Sequence, residues 1–432
     1  MSHINHNWGK SNLWLPRIIY NPVSLTELRD LIIKASTQHS KIRVAGSLHS
    51  LNNLCVTTDI QVHTDKLCQV LKIDKQNLRV KVQGGIKIFK LLEILASEGL
   101  TLPNQGYIID QSIAGAIATA THGSGNTGTI SSFVEEIELI DAKGKMHILS
   151  PNTNAHLFSA AIVNLGCLGI IYSLTLRCIP LMKLHLTKVQ STLSVTLENL
   201  QETLQNHDYF QFAIDPYSDK VLVWFYKKTI EAYQNRGLYK IKRLLVKSLA
   251  VWSFDILPPP NSLVPYAVKL WLAVSPLKSC IDDSYKILSP ADEGHYIEEE
   301  IAVPIENFEK ALTATRQIID RWSEQNRRMV AIILIRFCDP DPYGYLSPAY
   351  GRKTAFISLI TIAKKGYLDL FKEVEMALYK YQGRPHWGKV NFLTREIVVQ
   401  LYGSNVDKFL EARQELDPEG IFSNTYIHDR FK

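Results

Sequence analysis

No apolar run in this 432-residue chain reaches the roughly 18 residues that a membrane-spanning helix needs. Cysteine is scarce: Cys55, Cys68, Cys167, Cys178, Cys280 and Cys338 are the whole set, and no two form a CxxC pair. That excludes a disulfide scaffold and a zinc site, and it reads as reduced, mostly buried thiols. The 13 histidines include no HExxH and no His-Cys cluster, so no metal is expected. Charge of one sign is also lacking. The 48 Lys and Arg against 42 Asp and Glu leave +6, too small an excess to predict a nucleic-acid partner. No repeat of solenoid length is visible. Met1 to Trp8 is polar, without the basic-then-apolar pattern of a signal peptide. A cytoplasmic protein is the expectation.

What is present is an ordinary globular composition, 46% hydrophobic and 21% charged. At about 100–200 residues per domain, the length predicts two or three domains. Ser24 and Glu27 have capping-box spacing ahead of the apolar stripe Leu25, Leu28, Leu31 and Ile32, which predicts a helix. Lys41–Ala45 reads as a strand ending at Gly46, Leu78–Gln83 as a strand ending at Gly84, and Ile86–Ser97 as a helix. Val134–Ile140 and Met146–Leu149 flank a turn, and Ile170–Cys178 is a β run. Further on, Thr187–Asn206, Glu306–Glu324 and Tyr367–Tyr381 read as helices, and Val221–Tyr226, Ala331–Phe337 and Ala355–Ala363 as strands. The pattern is α+β, with an antiparallel sheet carrying helices on one face in the second part.

Six segments could carry chemistry. Gly123 to Gly128 matches GxGxxG, but a strand rather than a helix follows, so the Rossmann reading fails. Its backbone N–H groups could still approach a phosphate. Arg43-Val44-Ala45-Gly46-Ser47-Leu48-His49-Ser50 presents a histidine from a loop after a strand. Asn104 to Gly123 is a long run of small residues that either packs tightly as a helix or lets a flat ligand approach the backbone. Leu165 to Ile170 is punctuated by glycine, and Asp417 to Asn424 is a turn near the C-terminus. Arg384-Pro385-His386-Trp387-Gly388-Lys389 gathers two cations, an imidazole and an indole, a group suited to holding negative charge. Separately, 236–278 joins Arg236, Lys240, Lys242, Arg243 and Lys247 to Leu, Val, Trp and Tyr. It is either an ordinary amphipathic helix packed on its own domain, the commoner case, or a helix lying on an anionic membrane surface.

Taken in order, these motifs resemble the sugar-1,4-lactone oxidases and alditol oxidases of the vanillyl-alcohol-oxidase superfamily, from Asn7-Trp8 to Ile427. The resemblance implies an FAD-binding domain of two α/β subdomains of the PCMH type (1–182), an α+β substrate or cap domain with an antiparallel sheet (183–415), and a C-terminal segment (416–432) returning to the first. It implies FAD linked covalently through His49. The cofactor would be bound by Arg43, Val44, Ala45, Gly46, Ser47, Leu48, Ser50, Gly106, Ser112, Gly115, Thr119, His122, Gly123, Gly169, Ile170 and Asn424. It implies hydride transfer from an alcohol carbon to the flavin, with Lys389, Arg336 and Ser112 as catalytic residues. Molecular oxygen or another acceptor would take the electrons. The loop departs from the commoner GGGHS pattern at Ser47 and Leu48.

The larger departure is at Leu334. Relatives carry a Glu-x-Arg pair, and here Arg336 matches the arginine while Leu334 stands in place of the acid. The resemblance thus implies a site short of one carboxylate, with a substrate less polar near the reacting carbon. On that view Leu334→Glu should raise activity on aldonolactones. The alternatives are a tailoring oxidase of a secondary metabolite or lipid-linked sugar, or a flavin-binding protein that has lost catalysis. Glu298, Glu299 and Glu300 precede Ala302-Val303-Pro304. For at least one of them a solvated acidic run is the expectation.

Overall fold

The structure is a computed structural model describing residues 4–251, 260, 263, 266, 279–289, 295–362 and 365–432. The part of the 236–278 stretch beyond 251, apart from 260, 263 and 266, lies outside the described residues.

Three sheets organise the chain. Strands Ile18–Tyr20, Ile60–His63 and Ile42–Ala45 form a small parallel sheet. Helix Leu25–Thr37 covers it with Leu28, Leu31 and Ile32. The capping residues behave as the spacing predicts: Ser24 Oγ accepts from Glu27 N at 3.2 Å, and the Glu27 carboxylate accepts from Val23 N at 2.9 Å. A second, antiparallel sheet runs in the order Met146–Leu149, Val134–Ile140, Ile170–Arg177, Arg79–Gln83, Val70–Asp74. Helix Ile88–Ser97 buries Ile88, Leu91, Leu92 and Leu95 in its core.

The third sheet has eight antiparallel strands, ordered Ser279–Asp283, Lys183–Thr192, Lys220–Thr229, Tyr209–Ile214, Val330–Cys338, Thr354–Thr361, Ile297–Pro304, Arg384–Pro385. Helices Phe308–Glu324 and Tyr367–Leu378 pack on one face, against Phe212, Ile333, Ile335, Phe337, Ile357 and Leu359. Strand side chains alternate between faces. The opposite face therefore carries Gln211 and Ala213; Ile332, Leu334 and Arg336; Phe356, Ser358 and Ile360; and Glu298, Glu300 and Ala302.

Two expectations need correction. The stretch 187–206 is not one helix. Lys183–Thr192 is an internal strand paired on both sides, followed by helices Leu193–Glu198 and Leu200–Asn206. The helical spacing is real only after Thr192, and pairing on two edges decides the residues before it. The return to the first core also begins well before 416. Trp387, Leu393, Val398, Tyr402, Val406, Phe409 and Leu416 are buried in the same cluster as Val80 and Leu92, so helices Arg395–Tyr402 and Ser404–Leu416 belong to that core with Thr425–Phe431.

Candidate active site

Two hollows adjoin, sharing Gly46, Ser50, Cys55, Ser112, Gly115 and Thr119. Together they make one extended groove. One end is lined by Val44, Asn164, Leu165, Gly166, Gly169 and Ile170. The other reaches Trp8, Ser47, Leu48, His49, Gln111, His386, Gly388 and Lys389. The small-residue run forms helix Ile113–Ala118. Its faces differ: Ile113, Ala116 and Ile117 enter the core, while Ser112, Gly115 and Thr119 line the groove.

The loops meet closely here. A Cβ on Gly46 would lie 1.9 Å from Ser112 Oγ, so only glycine fits where strand Ile42–Ala45 ends. Leu48 holds φ 56°, the left-handed region that a glycine in the commoner motif would occupy without strain. An extended dinucleotide fits this groove of small residues and exposed backbone.

The structure does not bring every expected residue to the groove. Arg43 frames it, but the guanidinium is spent on the carbonyls of Leu54, Leu165, Gly166 and Phe422, at 2.6 to 3.0 Å. It ties the loops together instead of presenting a charge. Ala45 is fully buried in its strand. Asn424 caps the last helix, accepting from Ile427 N, and donates to the carbonyls of Asn53, Leu54 and Val56; its short amide is consumed there. Gly106, His122 and Gly123 lie outside the groove's lining. Gly106 O accepts from Ser289 Oγ at 2.7 Å, and a Cβ on Gly123 would lie 2.2 Å from Asn104 Oδ1. The glycine-rich loop contacts the large sheet, with Gly125 N donating to Phe337 O at 2.9 Å.

Where groove and large sheet meet, a chain of opposite charges is buried. Glu298, Glu299 and Glu300 are all at most 2% exposed, which overturns the expectation of a solvated run. Their backbone is a strand two places from Arg336, so alternate residues point to opposite layers. Lys389 Nζ pairs with Glu298, whose other oxygen lies 3.7 Å from Arg336 Nη2. Arg336 pairs directly with Glu300, which also accepts from Ser358 Oγ at 2.7 Å and lies 3.3 Å from His122 Nε2. The His122 ring stacks on Phe356 at 3.5 Å. Burial pushes the Glu300 pKa up, but Arg336 and His122 outweigh it and hold the carboxyl well below its ordinary range. Burial also pushes His386 down to about 3, so its ring is neutral at neutral pH. Its Nδ1 accepts from Gly388 N at 3.0 Å, which leaves the proton on Nε2.

Buried ion pairs do little for net stability because desolvation offsets their attraction. Four charged groups in one interior patch therefore point to function. His122, Glu300 and His386 also bring potential ligand atoms within 4.8 Å of one another, but Glu300 is already engaged by Arg336, and a cation there would lie against the guanidinium.

Position 334 carries no carboxylate, but Glu298 and Glu300 stand beside Arg336. Leu334 lies in an apolar cluster with Ala213, Ala331 and Ile332, beside Tyr217, Trp224 and Ile360. Sequence reasoning undervalued the two glutamates because an acidic triplet resembles a solvated face. The signal that could have found them was the apolar Ile301-Ala302-Val303 continuation, which marks a buried strand.

A family model described as D-arabinono-1,4-lactone oxidase matches residues 174–430, and one described as FAD binding domain matches residues 16–150. The chain belongs to the D-arabinono-1,4-lactone oxidase family. It is 32% identical to an L-gulono-1,4-lactone dehydrogenase of Mycobacterium tuberculosis over 99% of this chain and 98% of that one. It is 30% identical to the L-gulonolactone oxidase of Mus musculus, covering 98% and 97% of the two chains. Among solved structures, cholesterol oxidase from B. sterolicum superposes with a TM-score of 0.85 at 14% identity, over 100% of this chain and 97% of that one; this likeness is one of fold. The protein is an FAD-dependent oxidoreductase acting on CH–OH groups, with a small-molecule substrate and oxygen or another electron acceptor. When bound, FAD supplies the hydride acceptor; Val44, Gly46, Ser50, Ser112, Gly115, Thr119, Gly169 and Ile170 would hold it. Among the described residues, no helix is long and apolar enough to cross a membrane.

Proposed function

We propose that the protein oxidises a hydroxyl-bearing carbon of a sugar-derived 1,4-lactone, at the end of the groove where Lys389 and His49 line the same hollow. The observation that carries this reading is the Lys389–Glu298–Arg336–Glu300 chain. Loss of a hydride and a proton from an alcohol builds negative charge at the oxygen and at the acceptor. Lys389, with 18% of its side chain exposed, is the cation that reaches the hollow. Glu298, buried behind it, fixes its direction. A preorganised cation of this kind is worth about 3 kcal/mol of barrier. Neutral His386 lines the same wall without adding a competing charge.

His49, half-buried and 5.4 Å from Trp8 between ring centroids, is the residue proposed to attach covalently to FAD. The test is to denature the purified protein in acid and measure flavin fluorescence on the polypeptide, in wild type and His49→Ala. Flavin retained in the first and lost in the second supports the link; flavin released from both refutes it. Anaerobic mixing with gulono-, galactono- and arabinono-lactones should bleach the flavin. If no lactone bleaches it while dithionite does, the protein is a flavin binder without this activity.

A second reading is favoured by the apolar cluster around Leu334, on the same sheet face as Arg336. It gives the substrate an apolar portion, as in a lipid-linked sugar or secondary metabolite. Alkyl-substituted lactones should then show a lower KM than the unsubstituted sugar.

A further inference from the structure

Helix Arg236–Val251 carries five cations and no acid. Among the described residues its attachment to the body is one-sided. Arg236 pairs with Asp282 at 2.8 Å, Tyr239 is buried against Tyr209 and Tyr226, and Arg243 donates to Lys286 O at 3.0 Å. These three positions follow helical spacing and define the inward face. Leu238, Ile241 and Leu245 have the same spacing and point the opposite way. They are 46%, 58% and 58% exposed, with Leu244 at 53% beside them. An amphipathic helix packed on its own domain should bury its apolar stripe; this one turns the stripe to solvent. Lys240 flanks the stripe on one side and Lys242 on the other. Leu263 and Tyr266, farther along the chain, are also exposed, at 50% and 66%.

We infer that this helix docks the protein reversibly on an anionic lipid surface, its stripe entering the headgroup boundary and its lysines meeting lipid phosphates. An outward apolar stripe with cations along both edges is what such a surface selects. Pairing with a second copy of the chain fits less well. A symmetric contact would set Lys240 and Lys242 against their own copies, with no acid on the helix to offset them. The inference stands apart from the reading of the active site, because the stripe lies on the outer side of the helix.

The test uses the full-length protein and vesicles of phosphatidylcholine, with and without phosphatidylserine. Co-sedimentation is expected with the anionic vesicles, weakening as salt rises. Ile241→Glu/Leu245→Glu should abolish it. Lys240→Ala/Lys242→Ala should weaken it on the order of 30-fold, the loss of two near-surface cations. Both variants should keep wild-type melting temperature and turnover of a soluble substrate. The inference is overturned by wild-type protein that stays in the supernatant, by binding indifferent to phosphatidylserine, or by variants that bind as wild type does. It is also overturned if the wild type is a dimer that Ile241→Glu/Leu245→Glu splits, since the stripe would then be a subunit contact.

Discussion

Glu298 holds Lys389 from behind: the ammonium reaches the groove, and the carboxylate that orients it is 2% exposed and also faces Arg336 at 3.7 Å. Removing that charge without removing the shape should misdirect the cation. Glu298→Gln is expected to lower kcat on the order of 10- to 100-fold, the range for losing a hydrogen bond to a charged group. Flavin content should be unchanged, because Glu298 is not part of the groove lining. Kinetics beside an absorbance ratio check both. A variant with full turnover would remove Glu298 from the mechanism.

Leu334→Glu should not create a better lactone enzyme. Carboxylates already face Arg336 from the strand Ile297–Pro304, and a new one would enter the cluster of Ala213, Ile332, Trp224 and Ile360. It would also lie in one cross-strand row with Ser358 and Glu300. An unpaired buried carboxyl beside a like charge costs about 2–4 kcal/mol. A lower melting temperature and no gain in lactone turnover are expected. A gain would mean that the absence of an acid at 334 limits lactone turnover.

Much of this was legible from the residues. The α+β class followed from periodicity, because glycine punctuation and two-residue alternation are local signals; the roles of the groove loops, Arg336 and Lys389 came from the resemblance to the lactone oxidases. Glu298 and Glu300 were not, since their meaning depends on which strand lies two places away. Nor was the spending of Arg43 on four carbonyls, which needs Leu165 and Phe422 brought to one point by the fold. The outward stripe of the 236–251 helix was equally hidden: periodicity reports that a stripe exists, not which way it faces.

Leu48 stores backbone strain. A left-handed conformation costs a branched residue about 1–2 kcal/mol that glycine avoids, and Leu48 holds φ 56°. Comparing Leu48→Gly with Leu48→Ala cancels the lost side chain. The glycine variant should be the more stable by about 1 kcal/mol, read as a higher denaturation midpoint. Equal midpoints would mean the loop relaxes in both.

Stability should carry two opposing pH dependences that overlap between 4.5 and 6.5, for two identifiable reasons. On the acid side stands His386. Its folded value of about 3 lies below the ordinary 6.5, so between these limits the unfolded chain binds a proton that the folded one refuses. Stability contributed by the neutral ring is complete above pH 6.5 and is lost as pH falls toward 3. On the alkaline side stand Glu299 and Glu375, buried together behind the Glu298 strand. Burial raises both: Glu299 well above its ordinary value, with Glu375 adding like charge, and Glu375 to about 7. The folded state then holds protons the unfolded state has released above 4.5, so their contribution is complete below 4.5 and is lost as pH rises through 7. Glu375 also accepts from Phe392 N at 3.0 Å with both oxygens, from Tyr379, and feels Arg430. That links the pair to the segment following Lys389. Denaturation midpoints measured across pH should show His386→Gln flattening the acid limb only and Glu299→Gln flattening the alkaline limb only. Limbs unchanged in both variants would place the titrating groups elsewhere.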